Sequence, residues 1–224
     1  MNSALGEAGA QLTSPVTGTV VRWHITRATG GPFFLRVLDP DCCSTYEGEW
    51  TSAGKVPMST ATQTFKTDLP IKKGDIVGLD NSNGSDTIGL APVSGSVLSS
   101  ITPPVVYSFA TAMNHPNEEV GFNAVVEPLP TVTHISPRSG SNRGGTKVTI
   151  RGTNFDGDVA VTFGRGGQGA SGIKTAKKLK VVSDTKIIVV APLHRAEVVH
   201  VIVFDSGGWS ARDTACKFRY KKRA

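Results

Sequence analysis

Long apolar runs are missing from this sequence of 224 residues. No run approaches the ~20 apolar residues that a helix needs to cross a bilayer, which predicts no membrane-spanning segment. The N-terminal stretch MNSALGEAGAQL lacks the basic and apolar regions of a secretion signal. We therefore expect either a cytoplasmic protein or an exported protein whose signal lies outside this sequence. Because this stretch is small and polar, we also expect residues 1–12 to be frayed.

Cysteine is scarce, with 3 residues in the whole chain. Cys42 and Cys43 are adjacent, so a bond between them would close a small strained ring. Cys216 lies far from both in the sequence. An odd number of cysteines also leaves at least one without a partner. The sequence therefore predicts free thiols rather than a disulfide framework.

Motifs for catalysis, metal binding and phosphate binding are lacking. The 5 histidines are dispersed without H-E-x-x-H spacing, and no G-x-S-x-G elbow occurs. The loop that holds Gly84 is rich in side-chain oxygens, but its glycine is displaced from the calcium-loop position and no distal glutamate follows. The glycine-rich residues 164–169 are not followed by the helix that a phosphate loop requires. We expect no catalytic residue, no metal ion and no cofactor.

The composition favours strands over helices. Gly 25 and Pro 13 interrupt the chain often, and Thr, Val and Ser are abundant. Glu127-Pro128-Leu129-Pro130 predicts a stiff linker, which places one domain at residues 1–128 and a second at residues 129–224. In the first domain, residues 46–54, which include Trp50, are expected to be irregular. Short strands separated by turn residues, typical of a β-sandwich or jelly roll, are predicted at 16–25, 33–38, 63–71, 76–80, 87–90, 96–99, 105–109 and 120–126.

Residues 130–155, PTVTHISPRSGSNRGGTKVTIRGTNF, hold the most informative pattern of the chain. An alternating segment ends at Pro137, a polar turn with Gly144 and Gly145 follows, and the alternation then resumes. Adjacent glycines favour turn geometry with positive φ, so we expect no regular element over residues 139–145. Further strands are predicted at residues 159–164, 182–192, 199–204 and 218–220, with Phe218 facing the core.

This pattern resembles the IPT/TIG domain, an immunoglobulin-like β-sandwich of about a hundred residues. The resemblance covers residues 130–220 and includes VSDTKIIVVAP at 182–192, which is similar to the family's S-x-T-x-I-x-V-x-x-P strand. SPVTGTVVRW at 14–23 and LPIKKGDIVGLD at 69–80 resemble a jelly-roll-like β-sandwich of bacterial exported proteins. Together they imply an all-β chain of two β-sandwiches in tandem, jelly-roll-like and then immunoglobulin-like.

Charge is divided unevenly between the two halves. Residues 1–128 hold 7 Lys+Arg against 12 Asp+Glu, whereas residues 129–224 hold 17 against 6. The basic half is either a patch for an anionic polymer, such as nucleic acid or an acidic glycan, or an ordinary solvated face with a basic tail. One cluster comprises Lys174, Lys177, Lys178 and Lys180, preceded by Arg165, and the other comprises Lys217, Arg219, Lys221, Lys222 and Arg223.

The function predicted from these features is that of a non-enzymatic bacterial binding or spacer module, extracellular or on the cell surface, that recognises a protein or a glycan. Trp50 and Trp209 are the contacts expected for a neutral glycan or a protein, because flat apolar rings pack on sugars and anchor protein contacts. The alternative is binding of an anionic polymer through the cluster Lys174, Lys177, Lys178 and Lys180. An enzyme ranks third, since the sequence offers no catalytic constellation.

Overall fold

The computed structural model of this protein describes residues 1–5, 11–81, 86–102, 107–165 and 172–222. The chain divides into two compact units, Met1–Glu127 and Pro128–Ala224. The described residues form strands, turns and a short 3-10 turn at Cys42–Ser44, so the all-β prediction is confirmed. No helix in this part of the chain is long and apolar enough to cross a membrane. The predicted loop at Gly84, most of the glycine-rich loop 164–169 and Arg223 lie outside the described residues.

The first unit is built from short strands arranged in several sheets. The sheet orders are β12-β2-β6, β10-β5-β4-β7, β1-β9-β11 and β3-β8. These strands are β1 (Asn2–Ala4), β2 (Gly18–Ile25), β3 (Ala28–Thr29), β4 (Phe33–Pro40), β5 (Thr45–Thr51), β6 (Gln63–Ile71), β7 (Ile76–Asn81), β8 (Thr87–Ile88), β9 (Leu90–Ser100), β10 (Phe109–Thr111), β11 (Met113–Val120) and β12 (Phe122–Pro128).

The sheet β10-β5-β4-β7 buries apolar side chains on both of its faces. Val37 of β4 belongs to one core cluster together with Trp23 of β2. Leu38, the next residue, belongs to a second cluster together with Ile76 and Met1. Successive side chains of a strand point to opposite faces, so two adjacent apolar residues supply both clusters. The almost continuous apolar run of β4 is the sequence signal of this burial.

The sequence-based predictions for the first unit depart from the structure in four places. The expectation of a frayed N-terminus fails at β1, where Asn2 lies opposite Leu98 of β9 and its amide exchanges two hydrogen bonds with the backbone of Val120. The expectation of an irregular stretch at 46–54 holds for residues 52–54 but fails at 46–51, because β5 lies between β10 and β4. The sequence pattern also missed β11. It predicted a strand at 105–109, whereas the structure has β10 at Phe109–Thr111. Residues 103–106 lie outside the described residues. Strand pairing decides each case, with near partners such as β4 for β5 as well as distant ones such as β9 for β1.

The second unit consists of two main sheets that face each other across one core. Sheet I has the order β13-β15-β19-β18, and sheet II has the order β14-β22-β20-β16-β17, with β21 paired to β20. The core includes Ile150 and Ile187 of sheet I and Phe163 and Phe218 of sheet II. The strands are β13 (Thr131–Ser136), β14 (Ser139–Ser141), β15 (Lys147–Thr153), β16 (Ala160–Gly164), β17 (Lys174–Thr175), β18 (Lys177–Ser183), β19 (Lys186–Val190), β20 (Val198–Asp205), β21 (Gly208–Trp209) and β22 (Lys217–Lys221).

The turn between β14 and β15 tests the prediction made for its glycines. Gly144 has φ +79° and Gly145 has φ +85°, so the expected positive φ is confirmed at both. The expectation of no regular element over residues 139–145 is wrong at its start. There β14 extends sheet II as a short parallel partner of β22, with Gly140 opposite Tyr220.

Candidate ligand-binding face

The four lysines predicted as one cluster are divided between the two sheets of the second unit. Lys174 lies on β17 of sheet II, opposite Phe163. The chain then passes to sheet I at Ala176, and the other three lysines lie on β18. All four are exposed, but only the residues on β18 share a sheet.

The register of β18 against β19 decides where two of its lysines point. Lys177 lies opposite Val190, and Lys180 lies opposite Ile188. Both partners alternate with buried residues of β19 and are themselves only partly buried. Directly opposite residues share a face of a sheet, so Lys177 and Lys180 point away from the core. Lys178 adopts φ +46° beside a register shift and breaks this alternation.

Three further cations reach the same outer face from neighbouring strands. Lys147 of β15 lies opposite Val190, and Arg151 of β15 lies opposite Lys186 of β19. Sequence analysis missed Lys147 and Arg151 because they are far from β18 along the chain, and it missed Lys186 because a turn separates Lys186 from β18. The only local signal was the alternation of Lys147 and Arg151 with the apolar Val148 and Ile150. We call the resulting surface the basic face, defined by Lys147, Arg151, Lys177, Lys180 and Lys186.

The dimensions of the basic face follow from strand geometry. Residues two apart on a strand are separated by ~7 Å, and neighbouring strands are ~4.8 Å apart. Arg151 and Lys186 form one row across the strands, Lys180 lies in the next row, and Lys147 and Lys177 lie in the third. The outer rows are therefore ~13 Å apart. Partly buried Thr149, Ile188 and Val190 lie between these cations.

The cations of the basic face are not neutralised within the described part of the chain. None of the five forms an ion pair with a carboxylate among the described residues. The ion pairs of the second unit gather instead at Glu197, which contacts Arg165, His194 and Arg195. The hydrogen bond from Arg195 lowers the pKa of the Glu197 carboxyl. The basic face is thus left with uncompensated positive charge.

A second row of cations lies on sheet II. Lys217, Arg219 and Lys221 are exposed on β22 and alternate with Phe218 and Tyr220, which are buried. The prediction that Phe218 faces the core is confirmed. This row forms part of the C-terminal cluster and is separate from the basic face, since it belongs to the other sheet.

The two tryptophans predicted as ligand contacts have different surroundings. Trp209 on β21 packs its ring against Phe204, with 4.5 Å between the ring centroids, and is partly buried against the core. Trp50 on β5 lies opposite Val37 and is 41% exposed. Trp50 therefore presents more of its ring to a ligand than Trp209 does.

The described histidines and cysteines are not gathered into a reactive site. No group of three or more His, Cys, Asp or Glu side chains in the described ranges could hold a metal ion. His194 is buried and contacts the carbonyl oxygen of Gly172 at 3.0 Å. Burial lowers the pKa of His200, and the nearby charge of Lys217 lowers it further. Cys42, Cys43 and Cys216 are free, as predicted.

Comparison with known proteins assigns the second unit to a class and then to a family. Its two facing sheets define an immunoglobulin-like β-sandwich module. A family model described as the IPT/TIG domain matches residues 130–220, so this segment is an IPT/TIG domain and the resemblance seen in the sequence is confirmed. Domains of this family are typically extracellular or surface modules that serve as binding domains or as spacers.

Comparisons of the whole chain with curated proteins and with solved structures do not identify a relative. No curated protein matches it. Among solved structures, the full extracellular region of plexin A4 matches 97% of this chain at 16% identity and a TM-score of 0.35. The chain spans 19% of that plexin chain.

Proposed function

We propose that this protein is a non-enzymatic extracellular or cell-surface binding module whose IPT/TIG domain recognises anionic groups on a protein or glycan partner. The observation that carries the proposal is the basic face: five cations on one outer sheet surface, unpaired with carboxylates among the described residues. The first domain serves as a spacer or as a second binding unit.

Uncompensated charge makes the basic face suited to association. Unpaired cations raise the local concentration of an anionic partner and speed its encounter with the protein. Lysine stems also lie along apolar surface while their ammonium groups stay in water. Ile188 and Val190 provide that surface between the charges, so one partner can contact both.

Trp50 offers a second mode of recognition in the first domain. Its partly exposed ring could pack on a neutral sugar or anchor a protein contact. Trp209 is a weaker candidate, because its ring already contacts Phe204. The geometry favours the basic face over either tryptophan, since five residues converge there.

The test compares two triple variants of the whole chain that lose the same charge. The face variant carries Lys147→Gln, Lys177→Gln and Lys180→Gln. The matched control neutralises three exposed cations of β22 with Lys217→Gln, Arg219→Gln and Lys221→Gln. Dextran sulfate, a generic polyanion, is titrated at about 150 mM salt, and circular dichroism checks the fold of both variants.

We expect the face variant to lose about tenfold or more in affinity for dextran sulfate, and the control to lose much less. An equal loss in the two variants would show that net charge alone drives binding. Failure of the unmodified protein to bind would also overturn the proposal.

A further inference from the structure

We propose that the ligand of the basic face is a linear acidic polysaccharide, held through its carboxylate or sulfate groups along strands β15, β19 and β18. This inference rests on the proposed function and names the class of ligand. It depends on three features of the same surface: the spacing of its cations, the chemistry between them and the edge strand that bounds it.

The cations are spaced so that a chain lying parallel to the strands meets positive charge at regular steps. Arg151 and Lys186 come first, Lys180 follows after ~7 Å, and Lys147 and Lys177 follow after another ~7 Å. A polymer with anionic groups along its length can therefore contact all three rows without bending. A single small anion would use one row only.

The surface between the cations suits a sugar ring. Ile188 and Val190 are partly buried, and Thr149 contributes a hydroxyl in the same region. The C–H faces of a pyranose can pack on the two aliphatic side chains, while its hydroxyls hydrogen-bond to Thr149 and to the lysine ammonium groups. This combination supplies apolar contact as well as charge.

Nucleic acid fits the basic face less well. Single strands are held by aromatic side chains on which bases stack, whereas Thr149, Ile188 and Val190 occupy the central positions here. The described aromatic residues of the second unit lie in the core or on sheet II: Phe155, Phe163, Phe204, Trp209, Phe218 and Tyr220. A duplex is read by an element that enters a groove ~12 Å wide, and a sheet of four strands ~14 Å across is too broad and flat to do so.

An acidic peptide strand fits less well for a different reason. An extended peptide would add to the free edge of β18, because backbone pairing supplies most of the affinity in that mode. The pairing of β18 shifts register between Lys177 and Lys180 and again between Val181 and Ser183. Lys178 also has positive φ. Bulges and lysines of this kind discourage strand addition at an edge.

Lysines supply most of the positive charge of the basic face. Four of the five residues of the basic face are lysines, which act as flexible point charges. Arginine, in contrast, is the residue favoured for fixed bidentate contacts to carboxylate or phosphate groups. A flexible set of ammonium groups can adjust to anionic groups at slightly different positions along a sugar chain.

The experiment measures selectivity with the whole chain at about 150 mM salt. The probes are heparin, polygalacturonate, single-stranded DNA, duplex DNA and polyglutamate, compared at equal concentration of anionic groups. We expect at least one of the two polysaccharides to bind about tenfold more tightly than either DNA or polyglutamate. In the face variant, the logarithmic salt dependence of that binding should flatten by about two to three units, because each lysine removes about one ionic contact.

A third variant separates sugar packing from charge. Ile188→Ser removes apolar surface and leaves every cation in place, so it should weaken polysaccharide binding while leaving the salt dependence unchanged. A fold check by circular dichroism accompanies the titration, with Val198→Ser on sheet II as the matched control.

The outcomes distinguish this inference from the proposed function. If polyglutamate binds as tightly as the polysaccharides and the face variant still loses that binding, the proposed function stands and the inferred ligand class is wrong. If DNA binds as tightly as the polysaccharides or more tightly, and the face variant loses that binding, both are wrong. If no polyanion distinguishes the face variant from the β22 control, both fail. If Ile188→Ser binds polysaccharide like the unmodified protein, the lengthwise packing of sugar on the face is wrong.

Discussion

Arg151 and Lys186 lie directly opposite each other on adjacent antiparallel strands, so two positive side chains share one cross-strand site on the outer face of sheet I. Like charges in this position destabilise a sheet. No carboxylate among the described residues forms an ion pair with either side chain. The pair thus opposes folding and favours an anionic ligand.

Lys186→Glu should therefore stabilise the IPT/TIG domain and weaken its binding of anions. An opposite-charge pair with Arg151 should raise the free energy of unfolding by about 0.2–1 kcal/mol at low salt, and the gain should shrink as salt screens the pair. Denaturant unfolding at two salt concentrations measures the stability, and dextran sulfate titration measures the binding. Lys222→Glu, an exposed change of equal charge beyond β22, is the control and should leave the stability almost unchanged.

Gly144 and Gly145 should differ in their tolerance of a side chain, although both have positive φ. A Cβ at Gly144 would lie 2.8 Å from the backbone nitrogen of Leu193, whereas at Gly145 it would meet nothing within 4 Å. Gly145→Ala should cost about 1–2 kcal/mol for the left-handed backbone alone, and Gly144→Ala should cost more. Chemical denaturation of the two variants gives the comparison.

Gly145→Asn provides a control for that interpretation, because asparagine tolerates the left-handed region. It should be milder than Gly145→Ala. Equal unfolding midpoints for Gly144→Ala and Gly145→Ala would contradict the role given to the close backbone contact.

Deprotonation of Asp75 should make the first domain less stable as pH rises. Burial is the largest cause that raises the pKa of Asp75 from its ordinary 3.8 to about 6; the hydrogen bond from the Lys72 amide opposes this shift, and the neighbouring Glu49 carboxylate contributes to it. The folded state thus holds the Asp75 proton more tightly than the unfolded state does. The resulting stabilisation is complete below about pH 4 and is lost as pH rises through about 6.

Asp75→Asn mimics the protonated side chain at every pH. Its melting temperature relative to the unmodified protein should therefore be higher at about pH 7.5 than at about pH 4, where the two should converge. Asp68→Asn removes an exposed carboxylate of β6 and is the control. A difference between variant and unmodified protein that stays constant across this pH range would refute the assignment.

Replacing Trp209 should mainly affect the stability of the second domain, whereas replacing Trp50 should mainly affect ligand binding. Trp209→Ala removes the ring contact with Phe204 and part of the packing against the core, so it should destabilise the second domain by about 1–3 kcal/mol. Trp50→Ala should cost less, because more of its ring is already in water. If Trp50 binds a neutral glycan or a protein, Trp50→Ala should reduce that binding without a matching loss of stability. Calorimetry measures the change in stability, and a glycan-array screen measures the change in binding.

Residues 1–128 and 130–220 should each fold when expressed alone. Each has its own buried apolar clusters, and a segment containing two prolines separates them. Heat-capacity scans of each fragment should show a cooperative transition. An unfolded fragment, or a single transition seen only in the whole chain, would count against this division.

The sequence by itself determined the features that depend on local pattern. Alternation placed Phe218 in the core with Lys217 and Arg219 in solvent, since successive side chains of a strand point to opposite faces. The adjacent Gly144 and Gly145 predicted positive φ, because glycine pays no steric cost there. The succession of short strands and turns over residues 130–220 was enough for the IPT/TIG domain.

The sequence misled where pairing with a distant strand decides the conformation. Residues 46–54 include two glutamates and a glycine within β5, which have low strand propensity, yet β5 is paired on both sides. The polar Asn2–Ala4 forms a strand because Asn2 pairs with Leu98, far along the chain. Local propensity carries no information about such partners.

Only the tertiary structure decided which cations share a surface. Lys174 and Lys177 are close in sequence but lie on different sheets, whereas Lys177 and Lys147 are far apart in sequence and both lie opposite Val190. The physical reason is strand register: a shift of one residue reverses the face on which every side chain of a strand points. Register is fixed by the burial of Ile150, Ile187 and their neighbours in the core, so packing of the inner face arranges the charges of the outer one.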